Sequence, residues 1–243
     1  MAATPNIVTA FLEEPWYYLS AGFILAFTYS AISKDLAVLY FILVSVDAFA
    51  YFSLKPQLNF NSVSGNTGRA MGYAVLAFVA FIAISIFLVN LLQASANLTV
   101  ASLTSRIGAA TFGAATKPIL ENNPIAIFVL GAIMIPIIET KTLIARLMEV
   151  LSKIFKISLN LDPRTPEGRK TWFLFAVVSA FGVIFHFQAK GVGDTVALTL
   201  TFIFWMVSCF LIVKTREAES AVYLHQINNG WTLVNLLKKS FGG

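Results

Sequence analysis

The stretch 70–92 contains no Asp, Glu, Lys, Arg or His. As a helix it would reach roughly 35 Å at ~1.5 Å per residue, more than the ~30 Å hydrocarbon core of a bilayer. A water-soluble domain has little use for so long an uninterrupted run, and this one is not isolated. Apolar runs recur at 16–32, 36–54, 124–138, 172–189, 195–213 and 218–237, separated by polar or charged breaks. Inside lipid every backbone polar group must find its partner within the protein, so each run is read as a helix. The expected fold is all-α, a single polytopic transmembrane helical bundle over 1–243 with about seven spans, six to eight at the limits.

Only 12% of the residues are charged, against roughly 25% in soluble domains, and 58% are hydrophobic, with a mean hydropathy of +0.78. No separate soluble domain is expected. The net charge of +5 does not point to nucleic acid, because the basic residues sit between the apolar runs rather than on a patch interleaved with aromatics. The lipid bilayer is the partner this pattern implies. Cys209, the only cysteine, lies within an apolar run, so neither a disulfide framework nor a cysteine metal site is available. Residues 1–15 carry Glu13 and Glu14 but no Lys or Arg, unlike a cleaved signal peptide, so the first span is expected to insert and stay.

Several segments depart from a plain lipid-facing helix. Residues 95–123 mix small residues with Arg106, Gly113 and Lys117-Pro118 and are read as a re-entrant or interfacial segment. The run at 124–138 is short, so its helix is expected to continue through Glu139 towards Lys156, with a kink at Pro136. Beyond Glu139 it becomes amphipathic, with Lys141, Glu149, Lys153 and Lys156 mostly opposite Leu143, Leu147 and Leu151. Two prolines and a glycine in the charged sequence 162–170 mark a loop in water. Arg146, Lys153, Lys156, Arg164, Arg169 and Lys170 concentrate positive charge there. The positive-inside rule then places the 157–171 connection, and by alternation the N-terminus, in the cytoplasm. Asn97-Leu98-Thr99 would face outward.

A titratable side chain at bilayer depth costs at least ~2.5 kcal/mol on insertion scales, so each one asks for a reason. Asp47, Glu139, His186 and His225 are such residues. Asp47, near Ser45, is read as an interhelical hydrogen-bonding group rather than a chemical one. Glu139 lies 17 residues before Lys156, and His186 lies 15 after Thr171. Antiparallel helices would therefore set both roughly 25 Å from the shared loop. His225 and Asn229 are one turn apart on a late helix. A glutamate, two histidines and an asparagine at one depth are suited to activating water: the carboxylate as general base, the imidazole and amide as donors to an oxyanion.

At these residues the chain resembles the CPBP family, the CAAX-protease and bacteriocin-processing (Abi) group of intramembrane endopeptidases. Pro136-Ile137-Ile138-Glu139-Thr140 is similar to its Glu-Glu-x-x-x-Arg motif, Phe181-Gly182-Val183-Ile184-Phe185-His186 to its Phe-x-x-x-His motif, and His225-Gln226-Ile227-Asn228-Asn229 to its His-x-x-x-Asn motif. The first two are degenerate: Thr140 replaces the second glutamate, Arg146 comes late, and Gly182 stands where the family has phenylalanine. The resemblance covers the helices over 124–237. It implies that Glu139 activates water, His186 assists, and His225 with Asn229 stabilises the oxyanion, in a peptidase acting on membrane-associated peptides or proteins.

The degenerate motifs leave a second reading, a catalytically inactive subunit with a structural or assembly role among neighbouring membrane proteins. The small-residue segment 108–115 and 22 phenylalanines suit that reading too. Two histidines would also serve as axial haem ligands, and with Glu139 as a zinc donor set. A single histidine pair is a thin signal and the His-Glu-x-x-His spacing is absent, so neither a cofactor nor a metal is expected. Asp47 and Glu139 along a polar path would suit transport.

Overall fold

A computed structural model describes residues 21–22, 34–54, 60, 66–92, 125, 128–190 and 195–241. The segment 95–123 with its Asn97-Leu98-Thr99 triplet, most of the loop 55–69, and the first expected span apart from Ala21 and Gly22 lie outside the described residues. Among those described, the regular structure is entirely helical.

Helix α1 spans Lys34–Leu54 and α2 spans Thr67–Leu92. Asn66 caps α2, its Oδ1 accepting the Arg69 N–H at 3.0 Å. Helix α4, Pro166–Lys190, begins six residues earlier than its apolar run and α6, Glu219–Phe241, ends beyond its own. The start of α4 follows from local chemistry. Thr165 Oγ1 accepts the Gly168 N–H at 2.9 Å, and Pro166 occupies the first helical position, where its missing N–H costs nothing. Helix α5 spans Thr195–Thr215. The loop that leads into α4 is held by Trp172 Nε1 donating to Leu161 O at 3.1 Å and Asn160 N donating to Thr171 Oγ1 at 3.0 Å.

Three of these helices contain stretches long and apolar enough to cross a membrane: Thr67–Leu88, Pro166–His186 and Val196–Thr215. They differ in what surrounds them. Only 17% of the apolar window in α2 is buried against protein, compared with 61% in α5. On α2 the buried positions Ala70, Ala74, Phe81 and Ser85 form one stripe, while Leu76, Val79 and Phe87 point outward. Small residues on that stripe let α5 and α6 come close. Helix α5 is central, packing against α2, α4 and α6.

The segment 129–154, α3, is a continuous helix of changing pitch. It runs as a π-helix over Val129–Met134, an α-helix over Ile135–Glu139, a second π-helix over Thr140–Arg146 and an α-helix over Leu147–Ile154. Two wide segments on either side of Glu139 thus stand where a proline kink is expected from sequence. Each π turn holds about one residue more than an α turn and rotates everything after it. This rotation corrects the simple amphipathic reading: Lys141 and Glu149 turn inward, at 0% and 1% exposed, while Lys153 and Lys156 remain outside.

Candidate active site

Proline 136 explains the first wide segment. In a π-helix the carbonyl of residue 131 would accept from the N–H of residue 136, and proline has none. The Ile135 N–H goes to Leu130 O instead, which leaves Gly131 O without its backbone donor. A buried carbonyl cannot be left so at low cost. Asn229 on α6 fills the vacancy, donating Nδ2 to Gly131 O at 2.8 Å, and one turn earlier Gln226 donates Nε2 to Ile133 O at 3.1 Å. The proline of the first motif and the asparagine of the third are therefore coupled through one carbonyl oxygen. This pairing fixes the register of α6 on α3.

That register brings His225 to Glu139. Its Nε2 lies 3.4 Å from Glu139 Oε2, and His186 Nε2 from α4 lies 4.0 Å from the same oxygen. The Glu139 side chain is 1% exposed and the two imidazoles 6% and 5%. Each ring is oriented from behind. His186 Nδ1 donates to Gly182 O at 2.8 Å, since a carbonyl only accepts; its Nε2 then presents a lone pair to Glu139 whenever the ring is neutral. Thr140 Oγ1 stands 3.2 Å from His225 Nδ1. With the hydroxyl donating there, Nε2 of His225 carries the hydrogen and points it at the carboxylate. Aromatic side chains wall the pair: the Trp205 ring meets His186 edge-on at 5.7 Å and Phe204 meets His225 at 5.1 Å.

Gly182 is required by this wall. A β-carbon there would overlap the Trp205 indole, so no larger side chain has room. Thr140 stands against His225 Nδ1 and orients the ring, a role sequence reading did not assign. Asn229, a turn beyond His225, is placed on the Gly131 carbonyl rather than against Glu139.

A second polar cluster lies nearer the end of α3. Arg146 Nε donates to Asp47 Oδ1 at 3.0 Å, and its Nη1 to Glu149 Oε2. Glu149 Oε1 also accepts the Phe60 N–H at 2.5 Å, and Phe60 O accepts the Ala218 N–H at 2.6 Å. One arginine thus ties α1, α3 and the approach to α6 together. Arg146 is 2% exposed, so it serves the interior and not the charged loop face with which its sequence position groups it. Glu149, outside the three apolar spans, has its carboxyl pushed by burial from 4.5 up to about 7, with neighbouring Arg146 pulling the other way.

Among the described residues, no group of three or more His, Cys, Asp and Glu side chains is arranged to hold a metal ion. No protein-family model, curated protein or solved structure matches the chain.

Proposed function

We propose that the chain is a glutamate-dependent intramembrane endopeptidase of CPBP type, built on a bundle of about seven spans and acting on membrane-associated peptides or proteins. The observation that carries the reading is the buried Glu139 carboxylate with two imidazoles turned towards one of its oxygens. In this reading Glu139 takes a proton from water as the oxygen adds to the peptide carbonyl carbon, and returns it to the amine nitrogen as the C–N bond breaks. His225 Nε2–H donates to the developing oxyanion, while Asn229 holds α6 in register through Gly131 O. His186, with its Nε2 lone pair facing Glu139, shares the proton on the carboxylate. Burial among aromatic side chains strengthens each of these interactions.

The test is cleavage of a transmembrane reporter peptide by the protein in liposomes made up in ¹⁸O-water. The expected product carries the label in its new carboxylate, and His225→Ala lowers the rate by ~10²-fold or more. Unlabelled product, or an unchanged rate in His225→Ala, overturns the reading.

The hydrogen bonds that hold both imidazoles in place favour a second reading, an inactive assembly subunit. Thr140 and Gly182 O stand behind the two imidazoles and Glu139 faces both, as in a bundle glued by polar pairs. In that case Glu139→Gln lowers stability and no peptide is cleaved by the parent protein.

A further inference from the structure

Where α3 ends, away from Glu139, a cavity of about 470 Å³ is lined by Glu149, Ser152, Lys153, Lys156, Ser158 and Arg216. Two of its cations hold unusual backbone conformations. Lys156 has φ 51° and Arg216 φ 63°, and among the described residues these are the non-glycine positions with positive φ. Lys156 closes α3: its N–H bonds Lys153 O at 3.3 Å and the Ile157 N–H bonds Ser152 O at 2.8 Å. Glycine is the ordinary residue at that position, because a β-carbon is strained there. Arg216 makes the turn from α5 into α6, where glycine would again be easier. Both strained positions carry a cation and both line the same cavity, with Lys153 beside them. Strain retained at two converging cations points to a ligand for them.

The surroundings narrow the ligand. Both oxygens of Glu149 are engaged, one by Arg146 and the other by the Phe60 N–H. Ile154 and Phe155, at the same end of α3, are 55% and 64% exposed. Apolar side chains next to cations from two separate turns suit the zone where acyl chains give way to headgroups. The volume exceeds that of a bare anion and suits a group of headgroup size. We propose that this cavity binds a phosphate-bearing anion, supplied by the headgroup of an anionic phospholipid at the rim of the bundle. The site is separate from Glu139 and stands whether or not the chain is a peptidase.

The test is native mass spectrometry of the full chain in detergent, titrated with phosphatidylglycerol, phosphatidic acid or phosphatidylcholine. Anionic lipids are expected to be retained over phosphatidylcholine. Lys156→Gly and Arg216→Gly remove charge while relieving backbone strain, so each should lower retention about fivefold with an unfolding temperature close to that of the parent. Lys153→Gln, a side-chain change within regular helix, gives the same reading if a glycine variant fails to fold. Displacement of lipid by glycerol 3-phosphate, with that phosphate binding alone, would assign the site to a free phosphate ester. Equal retention of anionic lipid and phosphatidylcholine with no phosphate binding, or unchanged retention in all three variants, would overturn it.

Discussion

Helices α2 and α3 divide the labour of the bundle. After Arg69, α2 carries no charged side chain, and it turns Leu76, Val79 and Phe87 outward. Helix α3 buries Glu139, Lys141, Arg146 and Glu149 within eleven residues and carries two π-helical segments in doing so. An outward apolar residue in lipid loses little when replaced by another, since lipid tails are as apolar as the side chain. A buried ion is the reverse: its desolvation is offset only by specific partners, and removing one strands the other. The fold therefore depends on α2 through general composition and on α3 through particular atoms.

The contrast is broken most easily at Arg146. Arg146→Ala strands Asp47 and Glu149 together and should cost about 3–5 kcal/mol, whereas Leu76→Ala should stay within about 0.5 kcal/mol. Unfolding in mixed micelles measures both, and equal losses would erase the distinction between the helices. The next largest effect lies in the Pro136 and Asn229 pair. Asn229→Ala leaves Gly131 O without a donor, at about 1–3 kcal/mol. In a Pro136→Ala background, where residue 136 regains its N–H, that loss should shrink markedly. Additive losses in the double-mutant cycle would show that the proline does not create the vacancy.

The smallest effect is the pH dependence from Glu149. Its proton is held up to about 7 in the folded chain but leaves near 4.5 when exposed. The folded state thus binds more protons between those values. Stability from this group is complete below about 4.5 and is lost as pH rises through about 7, and Glu149→Gln should flatten the curve. A parent protein that gains stability over the same interval, with the variant tracking it, would contradict the burial of this carboxyl.

The helices were legible because apolar runs of membrane length leave a chain little choice, and among the described residues three helices are long and apolar enough to cross a membrane. Polar residues at bilayer depth were legible for the same reason: Glu139, His186 and His225 stand out by their expense. Their partners were harder to read. Asp47 was separable as a structural residue, but nothing local marks Arg146 as its counterion, because the pair is 99 residues apart and a π-helix sets the phase of Arg146. A helix of constant 3.6-residue period turns Lys141 and Glu149 the wrong way for that reason. One signal was available and unused: Pro136 deletes a donor, and a missing donor inside a buried helix announces that a side chain elsewhere must supply it. Thr140 and Gly182 looked like defects in borrowed motifs, yet the hydroxyl on His225 and the indole on Gly182 give each a local cause.

The division between atoms that hold the bundle and atoms that act in it is tested most directly at Glu139. Cleavage of a transmembrane peptide and the unfolding midpoint should be measured together for the parent, Glu139→Gln and Arg146→Ala. Glu139→Gln keeps the shape and one acceptor oxygen while losing the base, so cleavage should fall by ~10²–10⁴-fold with the midpoint close to that of the parent; Arg146→Ala should lose its midpoint first. Cleavage by Glu139→Gln at the parental rate, or a parent that cleaves no peptide while Glu139→Gln unfolds like Arg146→Ala, would contradict a chemical role for Glu139.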